Sequence, residues 1–549
     1  MSDAIKHECA VALVRIKSSS PAPSAGLAKL ALLLEKQHNR GQDGAGMCAL
    51  ASSPQPGSPA YRVVKSAAQN PLADILGRTA RLSDNFDARS FLGHLRYATF
   101  GKGDESYCHP FVHASERLER TLFMAGNFNL TNTGELFDRY VASGKHPEST
   151  ADGYIITESV AAALAEEAKA GVKERGEMII AALSSVLSRL DGAYTFCGMT
   201  GDGWSFAVRD PHGIRPGYWY ESGDFVAVAS ERPAVQAAFD CGIDEVKELG
   251  CGEALLIAPD GRSSLRQVLP VGCKTSCVFE RIYFSRANDA DIHRERKALG
   301  AALARPILEA TGYDLERTFF SFIPNSAQVA FHGLLEALWN EGLAEGRPVR
   351  FGQIAVKDAK FRTFIADAQA RKEFYKHVYD VTYGLVRPGE DTLVVLDDSI
   401  VRGNTMKNAI LPMLDRLRPR KIVVASSAPP ICYPDCYGID MSSLGELVAF
   451  RALVNLRGGQ APDSPEALRR AYGEVPDKVL ATEIARLLTP EGMHAEVQVI
   501  FQSLEGLRAA CPSTRGDWYF TGEYPTEGGE KVLARAIRNY QEKRNERSY

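Results

Sequence analysis

The chain lacks the features that mark secreted, membrane-bound and nucleic-acid-binding proteins. Its 549 residues include only 11 cysteines and no C-x-x-C pair, so we expect reduced thiols rather than a disulfide scaffold. No apolar run approaches the roughly 18 residues of a membrane-spanning helix, and the residues before Cys9 lack the apolar stretch of a signal peptide. The formal net charge of -4 gives no reason to expect nucleic acid or an anionic membrane as a partner. These absences favour a cytoplasmic location.

The periodicity of apolar residues divides the chain into two unlike halves. In the first half it predicts strands at Cys9–Ile16, Leu92–Leu95 and Thr121–Met124, and helices at Gly26–Gln37 and Tyr154–Glu167. After about residue 270, strands alternate with helices, which is typical of a parallel sheet with covering helices. These later strands are predicted at Thr318–Ile323, Val349–Val356, Thr392–Leu396 and Lys421–Ser426. The residues from 456 onward are interpreted as a helical, charged tail.

A phosphate-binding loop is indicated by Leu393–Thr405, which reads L-V-V-L-D-D-S-I-V-R-G-N-T. An apolar strand runs into the carboxylates Asp397 and Asp398, and then into a loop with Arg402 and Gly403 before a helix. Ligands of open α/β sheets collect at the carboxyl ends of the strands, and the N–H groups of a loop and a helix N-terminus cradle a phosphate. Two carboxylates beside such a cradle suit ribose hydroxyls or, through water, a divalent metal.

A D-D dipeptide alone is more often a solvated turn, but the succession of strand, D-D-S, R-G-x-T and helix is specific. It resembles the signature with which type I phosphoribosyltransferases bind phosphoribosyl pyrophosphate (PRPP). The resemblance implies Mg2+, one per subunit, at Ser326, Asp397 and Asp398. The PRPP-binding positions that it implies are Asp397, Asp398, Ser399, Val401, Arg402, Gly403, Asn404, Thr405 and Arg362.

A candidate nucleophile, Cys9, opens the first apolar strand. A lone cysteine in a strand is usually a core residue, so its meaning depends on the segments that accompany it. These are H-N-R-G-Q-D-G-A-G at 38–46, G-H-L-R-Y-A-T at 93–99 and A-G-N-F-N at 125–129. Together they resemble the class II glutamine amidotransferases, a branch of the N-terminal-nucleophile hydrolases.

The resemblance to this family implies a self-activating nucleophile. A short propeptide is removed between Glu8 and Cys9, and the new α-amine then acts as the base for its own thiol. Asn127 and the backbone N–H of Phe128 match the two donors of the oxyanion hole. The glutamine-binding positions that the resemblance implies are Arg40, Arg96 and Asp152.

The combination of the two halves narrows the family. Asparagine synthetases and glucosamine-phosphate synthases share the glutaminase domain, but a PRPP signature behind it singles out the amidophosphoribosyltransferases. Further matches include R-D-P-H-G-I-R-P at 209–216 and F-T-G-E-Y-P-T at 520–526. The family transfers ammonia from glutamine to PRPP, which yields 5-phosphoribosylamine, glutamate and pyrophosphate at the first step of purine synthesis. The resemblance also implies feedback inhibition by purine nucleotides and a homo-oligomer.

The chain departs from the family pattern at several positions. The usual H-N-G-N of the oxyanion hole is G-N-F-N, so the conformational freedom of glycine is lost at Phe128. Ala10 replaces the glycine after the nucleophile, K-D-A-K-F at 357–361 precedes R-T-F-I, and Asn325 stands where an acid is common. Some members hold a four-iron cluster with four cysteines. Because Cys277, Asp435, Gly516 and Tyr519 occupy those positions, we predict no cluster and a tail held by packing alone.

The departures keep two alternatives open. One is a regulatory paralogue that binds PRPP or nucleotides while one active site has decayed; the other is a glutamine-dependent enzyme with a different acceptor, which the PRPP signature disfavours. The implied fold is an αββα N-terminal-nucleophile sandwich, followed by an α/β phosphoribosyltransferase domain with a parallel sheet and a helical C-terminal tail. The implied boundaries are a propeptide at 1–8, a glutaminase domain at 9–270, a phosphoribosyltransferase domain at 271–455 and a helical extension at 456–549.

Overall fold

The computed structural model describes residues 9–17, 22–52, 54, 56–79, 82, 86–98, 101–340, 342–357 and 379–544. The predicted propeptide and Arg362, with the segment 358–378 around it, lie outside these residues. Among the described helices, none combines the length and the apolar sequence that crossing a bilayer requires. All 11 cysteines are described, and each is a free thiol.

The first half of the chain folds into two antiparallel sheets. Its strands are β1 (Ala10–Ile16), β2 (Gly44–Ala51), β3 (Tyr61–Ser66), β4 (Ala88–Arg96), β5 (Phe111–His113), β6 (Leu122–Leu130), β7 (Gly192–Thr200), β8 (Ser205–Arg209), β9 (Tyr218–Glu221), β10 (Phe225–Ala229), β11 (Lys247–Glu248), β12 (Glu253–Ile257) and β13 (Ser263–Gln267). One sheet has seven strands in the order β11-β9-β10-β1-β4-β2-β3, and the other has six in the order β13-β12-β8-β7-β6-β5.

The two sheets pack face to face because their strands are apolar on both sides. Along β1, Ala12 and Val14 pack against helices, whereas Val11 and Leu13 face the other sheet. This follows from the alternation of side chains along a strand. The same alternation on β6 places Phe123 between the sheets. The space between the sheets therefore contains its own apolar core.

Helices cover the outer face of each sheet. Pro23–Lys36, Pro71–Gly77 and Arg232–Phe239 share a core with the seven-stranded sheet. Asp152–Lys169 and Arg175–Leu187 share a core with the six-stranded sheet. The layers therefore follow the order helix, sheet, sheet, helix, and the ends of β1, β4 and β6 meet in the middle of this stack.

The second half contains the predicted parallel sheet. Its strands are β14 (Thr318–Phe322), β15 (Arg350–Phe351), β18 (Thr392–Asp397), β19 (Lys421–Ser426) and β20 (Glu496–Phe501), while β16 (Ala355–Lys357) and β17 (Tyr379–Val381) form a separate antiparallel ribbon. The parallel order is β15-β14-β18-β19-β20. Both faces are buried, since Val394 and Leu396 of β18 pack in one core and Leu393 and Val395 in another. The predicted succession of an α+β half and a parallel α/β half is confirmed.

Helices flank this sheet and continue to the end of the described chain. They are Ala290–Ala302, Ala304–Ala310, Gln328–Asn340, Leu411–Asp415, Val448–Leu456, Pro465–Glu474, Asp477–Leu488, Leu504–Ala510, Trp518–Thr521 and Glu527–Gln541. The prediction of a helical tail is wrong for Glu496–Phe501, which forms β20 and pairs in parallel with β19. This strand lies at a sheet edge and alternates valine with polar residues, so its short pattern is outweighed by the helices on either side.

The tail is also anchored by hydrogen bonds, so the expectation of packing alone is wrong. The hydroxyl of Tyr519 lies 2.9 Å from the thiol of Cys277 and accepts the Phe279 N–H at 3.4 Å. Trp518 donates its indole N–H to the Asp435 carboxylate at 2.8 Å. All of these side chains are buried, and buried polar groups are stable only when they are paired. The tail is thereby joined to the segment that connects the two halves.

Replacing Tyr519 by Phe should lower the free energy of unfolding by about 1 kcal/mol, because the thiol of Cys277 and the N–H of Phe279 lose their partner while the ring remains. Tyr540→Phe is the matched control: its ring packs on Phe450 and its removable hydroxyl makes no hydrogen bond to the described residues. Urea titration of both variants measures the difference. An unchanged midpoint for Tyr519→Phe, or equal shifts in both variants, would contradict the anchoring role.

Candidate active sites

Cys9 lies at the end of the space between the two antiparallel sheets. It directly precedes β1, and the alternation along that strand puts it on the side of Val11 and Leu13. The Tyr97 N–H, just past the end of β4, donates to the Cys9 sulfur at 3.3 Å, and the thiol lies 3.8 Å from the Tyr97 carbonyl. The nucleophile predicted from the sequence is therefore half-buried and fixed against the G-H-L-R-Y-A-T segment.

The surroundings keep this thiol protonated at neutral pH in the chain that retains residues 1–8. Burial raises the pKa of Cys9 to about 11, while the Tyr97 N–H and the positive charge of Arg96 act in the opposite direction. The Asp152 carboxylate raises the same pKa further. Arg96 and Asp152 are also the predicted binding partners of glutamine. The charged groups around the nucleophile are therefore ones that the sequence predicts there.

Arg96 and Asp152 are held by different elements of the two sheets. Arg96 ends β4, donates to the Gly101 carbonyl at 3.0 Å and lies over the Tyr107 ring at 5.5 Å. Asp152 opens the helix Asp152–Lys169, and burial raises the pKa of its carboxyl group against the effect of Arg96. A guanidinium and a carboxylate close to one thiol can hold an α-amino acid by its two charged ends.

Asn127 faces the same space from the opposite sheet. It lies on β6 in alternation with Ala125, which packs between the sheets. Asn127 is only 2% exposed, and its side-chain Nδ2 has no hydrogen-bond partner among the described residues. A buried amide donor without a partner is uncommon. It is available for an oxygen that develops negative charge.

The backbone N–H of Phe128 points toward the edge of β6 that lies away from β7. Phe128 is paired with Tyr194 of β7. The Tyr194 N–H donates to the Asp210 carboxylate at 3.3 Å, and the Tyr194 carbonyl accepts the Asp210 N–H at 2.9 Å. In an antiparallel ladder, such a residue and its partner form a non-hydrogen-bonded pair whose polar groups point outward. The Phe128 N–H is therefore directed away from β7. The ring of Phe128 packs on Phe196, with 4.9 Å between ring centroids.

Arg40 makes contacts that differ from its predicted role. Its guanidinium is buried and pairs with Glu231 at 2.7 Å and with Glu280 at 2.7 and 3.1 Å. Burial disfavours the charged guanidinium, but the two carboxylates more than compensate, so the pKa of Arg40 is raised. We correct the assignment of its side chain to glutamine, because two buried carboxylates already bind it. The R-G element joins the nucleophile region to the segment that begins the second half.

Two histidines beside the nucleophile have no counterpart among the residues singled out in the sequence. The His94 Nε2 lies 3.0 Å from the Gly126 carbonyl, and the His94 ring stacks on that of His109 with 4.0 Å between centroids and an angle of 16°. Burial lowers the pKa of His94 to about 3 and that of His109 well below its usual range. The alternation of side chains along β4 could have indicated His94, because it places His94 on the same inner face as Leu92 and Arg96.

A neutral histidine of this kind is a poor base for Cys9. Its Nε2 is occupied by a carbonyl, and its low pKa gives little drive for taking a proton from a thiol. The Cys9 sulfur contacts Tyr97 rather than an imidazole. The described residues therefore form no cysteine–histidine pair of the kind that a different class of cysteine enzyme would use.

The second candidate site lies at the carboxyl end of β18. Asp397 ends the strand and accepts the Asp398 N–H at 2.9 Å. Asp398 is buried, and its carboxylate accepts hydrogen bonds from the hydroxyl groups of Ser399, at 2.8 Å, and Ser326. Ser427, which directly follows the neighbouring strand β19, donates its hydroxyl to the Asp398 carbonyl at 3.1 Å. The three positions predicted to hold Mg2+ therefore adjoin one another and offer only oxygen donors.

The predicted phosphate loop follows these carboxylates. Gly403 has φ +81°, and a Cβ there would overlap Leu488, so the loop requires glycine. The Arg402 side chain pairs with Glu446 at 2.7 Å and donates to the Asp440 carbonyl at 2.8 Å. Its charge is thus bound within the protein. The backbone is what this position offers to a phosphate.

The rest of the loop leads into a helix. Val401 is buried, and its carbonyl accepts the Val448 N–H at 2.9 Å. Asn404 and Thr405 begin the helical segment that continues through Met406–Ile410. Strand, loop and helix thus follow in the order that the sequence predicts, and the first turn of the helix faces the end of the loop. Such a turn presents backbone N–H groups to an anion.

A buried polar connection joins the two candidate sites. Ser285 donates its hydroxyl to Glu280 at 2.6 Å, and its carbonyl accepts Arg296 at 2.8 Å. Burial lowers the pKa of Arg296 to about 10, and the carboxylates that act most strongly in the opposite direction are those of Asp398 and Glu231. Sequence reasoning missed Arg296, since an arginine is usually an exposed residue.

Comparisons with known proteins agree with both halves of this arrangement. Residues 104–237 match a family described as a glutamine amidotransferase domain. The chain is 30% identical to the amidophosphoribosyltransferase of Bacillus subtilis over 501 residues, 90% of each chain. It is 27% identical to that of Haemophilus influenzae over 548 residues, 98% of each chain. It superposes with a TM-score of 0.68 and 26% identity on the B. subtilis glutamine PRPP amidotransferase complexed with ADP and GMP, covering 96% of this chain and 99% of that one.

The raised pKa of the nucleophile predicts slow alkylation. In the fraction whose intact mass retains residues 1–8, Cys9 should react with iodoacetamide more slowly than the exposed Cys273 at pH 7.5, because only the thiolate reacts. Its rate should rise about tenfold per pH unit until pH approaches its pKa of about 11. Timed alkylation followed by peptide mass spectrometry measures both thiols in one sample. Equal labelling of the two at pH 7.5 would refute the burial argument.

Arg40 and Arg96 should respond differently to the same substitution. Arg40→Met leaves Glu231 and Glu280 buried without their cation, so it should lower the free energy of unfolding by about 3–5 kcal/mol. Arg96→Met should chiefly raise the KM for glutamine, because Arg96 is the predicted partner of the glutamine carboxylate. Thermal unfolding and glutaminase kinetics on both variants separate the two roles. If Arg40→Met unfolds like the unaltered protein and only raises the KM for glutamine, the assignment made from the sequence is restored.

Proposed function

The chain belongs to the amidophosphoribosyltransferase family, and from that premise we propose which of its residues perform each half of the reaction. The reaction converts PRPP, glutamine and water into 5-phosphoribosylamine, glutamate and pyrophosphate, the first step of purine synthesis. The observation that carries the proposal is the convergence of Cys9, Arg96, Asp152 and the unpartnered amide of Asn127 at one end of the space between the two sheets. The first half is then an N-terminal-nucleophile glutaminase.

Activation of the nucleophile begins with cleavage between Glu8 and Cys9. The α-amine that this releases titrates near 8, so a useful fraction of it can accept a proton at neutral pH. With the peptide bond intact, the thiol has a pKa of about 11, and none of the described residues is placed to deprotonate it. The amine of the mature chain supplies the missing base within the same residue.

Glutamine hydrolysis then proceeds through a thioester. Arg96 binds the α-carboxylate and Asp152 the α-ammonium group, which leaves the carboxamide facing Cys9. The sulfur forms a bond to the carboxamide carbon, and the developing oxyanion receives hydrogen bonds from Asn127 Nδ2 and the Phe128 N–H. The C–N bond breaks as the nitrogen takes the proton held by the α-amine and leaves as ammonia. Water then cleaves the thioester to give glutamate.

The second half uses the ammonia. Asp397 and Asp398 orient the ribose hydroxyls of PRPP, and the backbone of Ser399 to Thr405 holds the 5'-phosphate at the start of the following helix. The lone pair of ammonia attacks C1 of the ribose, and the bond from C1 to pyrophosphate breaks. Arg362 belongs to this proposal on its sequence match alone.

The oxygen donors at this end of β18 fit Mg2+. The cation typically takes one or two carboxylates together with waters and substrate phosphates, and Asp397, Asp398 and the Ser326 hydroxyl provide such a set. Bound Mg2+ would neutralise the charge of the departing pyrophosphate. The positions that hold an iron–sulfur cluster in some relatives supply one thiol, an aspartate bound to Trp518 and a tyrosine bound to that thiol, which does not fit a cluster.

The remaining parts of the proposal concern regulation and assembly. A B. subtilis relative was solved in complex with ADP and GMP, which supports purine nucleotides as feedback inhibitors of this chain. We include a cytoplasmic location and a homo-oligomer in the proposal on the strength of family membership. The alternative of a regulatory paralogue with one decayed site is decided by the experiment below.

Cys9→Ala and Asp397→Asn should disable different halves of the reaction. Cys9→Ala should reduce glutamine-dependent pyrophosphate release by roughly 10³-fold or more, yet leave ammonia-dependent release intact. Asp397→Asn should reduce glutamine-dependent and ammonia-dependent release alike, because in both cases ammonia attacks the same ribose. The assay is pyrophosphate release from PRPP by purified protein, with the mature N-terminus verified by mass spectrometry. If neither glutamine nor ammonia supports release in processed, folded protein, the paralogue replaces the enzyme.

A further inference from the structure

Among the described residues, the strand that carries the predicted oxyanion donors has a neighbouring strand along only part of one edge. On its free side, β6 is paired with β5 only from Leu122 to Met124, so Gly126 and Phe128 point their backbone groups beyond the end of β5. The Gly126 carbonyl and the Phe128 N–H flank Asn127 and point the same way. Without a partner, such a strand end would move, and both predicted oxyanion donors lie on it.

His94 supplies a hydrogen bond at this place. A carbonyl oxygen only accepts, so the His94 Nε2 carries the proton that it donates to Gly126 at 3.0 Å. The ring is fully buried, and its Nδ1 has no hydrogen-bond partner among the described residues. Burial, aided by the charges of Arg96 and Lys65, keeps the ring neutral. The tautomer is therefore fixed by the contact with Gly126.

His109 completes the support from the side. Its ring stacks on His94 at 4.0 Å and lies 5.8 Å from the Phe128 ring and 4.8 Å from the Phe111 ring. The Phe128 ring reaches this position because residue 126 is glycine: a Cβ on Gly126 would lie 3.0 Å from Phe128 Cδ1 and 2.5 Å from Phe196 Cδ1. The family pattern H-N-G is thus replaced by G-N-F in a way that fits together.

We propose that His94 and His109 position the oxyanion hole, with His94 holding the Gly126 carbonyl and His109 holding the rings of His94 and Phe128. The pair takes over the rigidity that the altered G-N-F-N sequence needs. Neither histidine touches the substrate; each acts through the strand that carries Asn127 and the Phe128 N–H. The inference rests on the proposed function, since it assumes that these two donors serve the thioester-forming step.

The proposal predicts a defect in kcat for glutamine rather than in binding. His94→Phe keeps a ring for the stack but removes the donor, so kcat for glutamine hydrolysis should fall about 10- to 100-fold, short of the loss of a whole oxyanion donor. The KM for glutamine should stay within about twofold, because Arg96 and Asp152 are untouched. The ammonia-dependent rate should be unchanged, because the second site is separate.

Rescue variants distinguish positioning from general damage. His94→Gln retains an N–H that can reach the Gly126 carbonyl, so it should recover much of the kcat that His94→Phe loses. His109→Ala removes the stack and should lower kcat about tenfold, whereas His109→Phe should retain more of it. His332→Gln, an exposed histidine on Gln328–Asn340, is the control for loss of any histidine. The ammonia-dependent rate in each sample verifies folding.

Asn127→Ala separates the failure of this inference from the failure of the proposed function. If Asn127→Ala leaves glutamine hydrolysis intact, the oxyanion assignment itself is wrong and the inference falls with it. If Asn127→Ala abolishes hydrolysis while His94→Phe keeps kcat within twofold, only the inference is overturned. It is also overturned if His94→Gln is as slow as His94→Phe, or if the ammonia-dependent rate falls in parallel. Where His94→Phe does not fold, the comparison of His109→Ala with His109→Phe gives the same decision.

Discussion

The buried guanidinium of Arg40 constrains how the two halves of the chain can be arranged. A charge removed from water is tolerated only when carboxylates and hydrogen bonds replace the solvent, and Arg40 receives them from Glu231 in the first half and Glu280 beyond it. If one half moved relative to the other, one of these two carboxylates would become exposed to solvent or remain buried without a cation. The element that borders the nucleophile is thereby tied to the start of the second half. From Glu280 the connection continues through the hydrogen bonds of Ser285 to Arg296, whose charge interacts with that of Asp398. Buried ion pairs and hydrogen bonds therefore connect the two candidate sites.

The tail shows a related solution without a buried ion pair. In some relatives a metal cluster ties this region together, whereas here Tyr519 meets Cys277 and Trp518 meets Asp435. Each contact joins the tail to a different earlier segment, and β20 adds a strand to the parallel sheet. The join consists of neutral hydrogen bonds, a paired carboxylate and backbone pairing. Its strength therefore depends on complete pairing of buried polar groups.

The sequence predicts those parts of the molecule whose residues act locally. Strand β18, the carboxylates at its end and the loop with Gly403 are contiguous, so their order alone predicts the phosphate-binding geometry. The contributions of Arg40, His94 and Arg296 depend on residues 11 to 240 positions away in the chain. No local pattern states whether a guanidinium will meet a substrate or a pair of buried glutamates. The strand β20 was missed for a different reason: an edge strand needs apolar residues on one face only, and a segment of six residues between helices gives a weak signal.

The neutral histidine pair also follows from the charges around it. In the proposed mechanism the positive charge of Arg96 binds a carboxylate, and Lys65 lies over the Phe111 ring beside His109. A third positive charge on His94 would be buried beside both, which its low pKa reflects. A neutral imidazole can still donate one hydrogen bond to Gly126 and stack on its neighbour. Because its pKa is low, the neutral imidazole does not compete with the α-amine of the proposed mechanism for the proton of Cys9. Histidine thus provides a flat donor of the right length without changing the protonation of the thiol that it helps to serve.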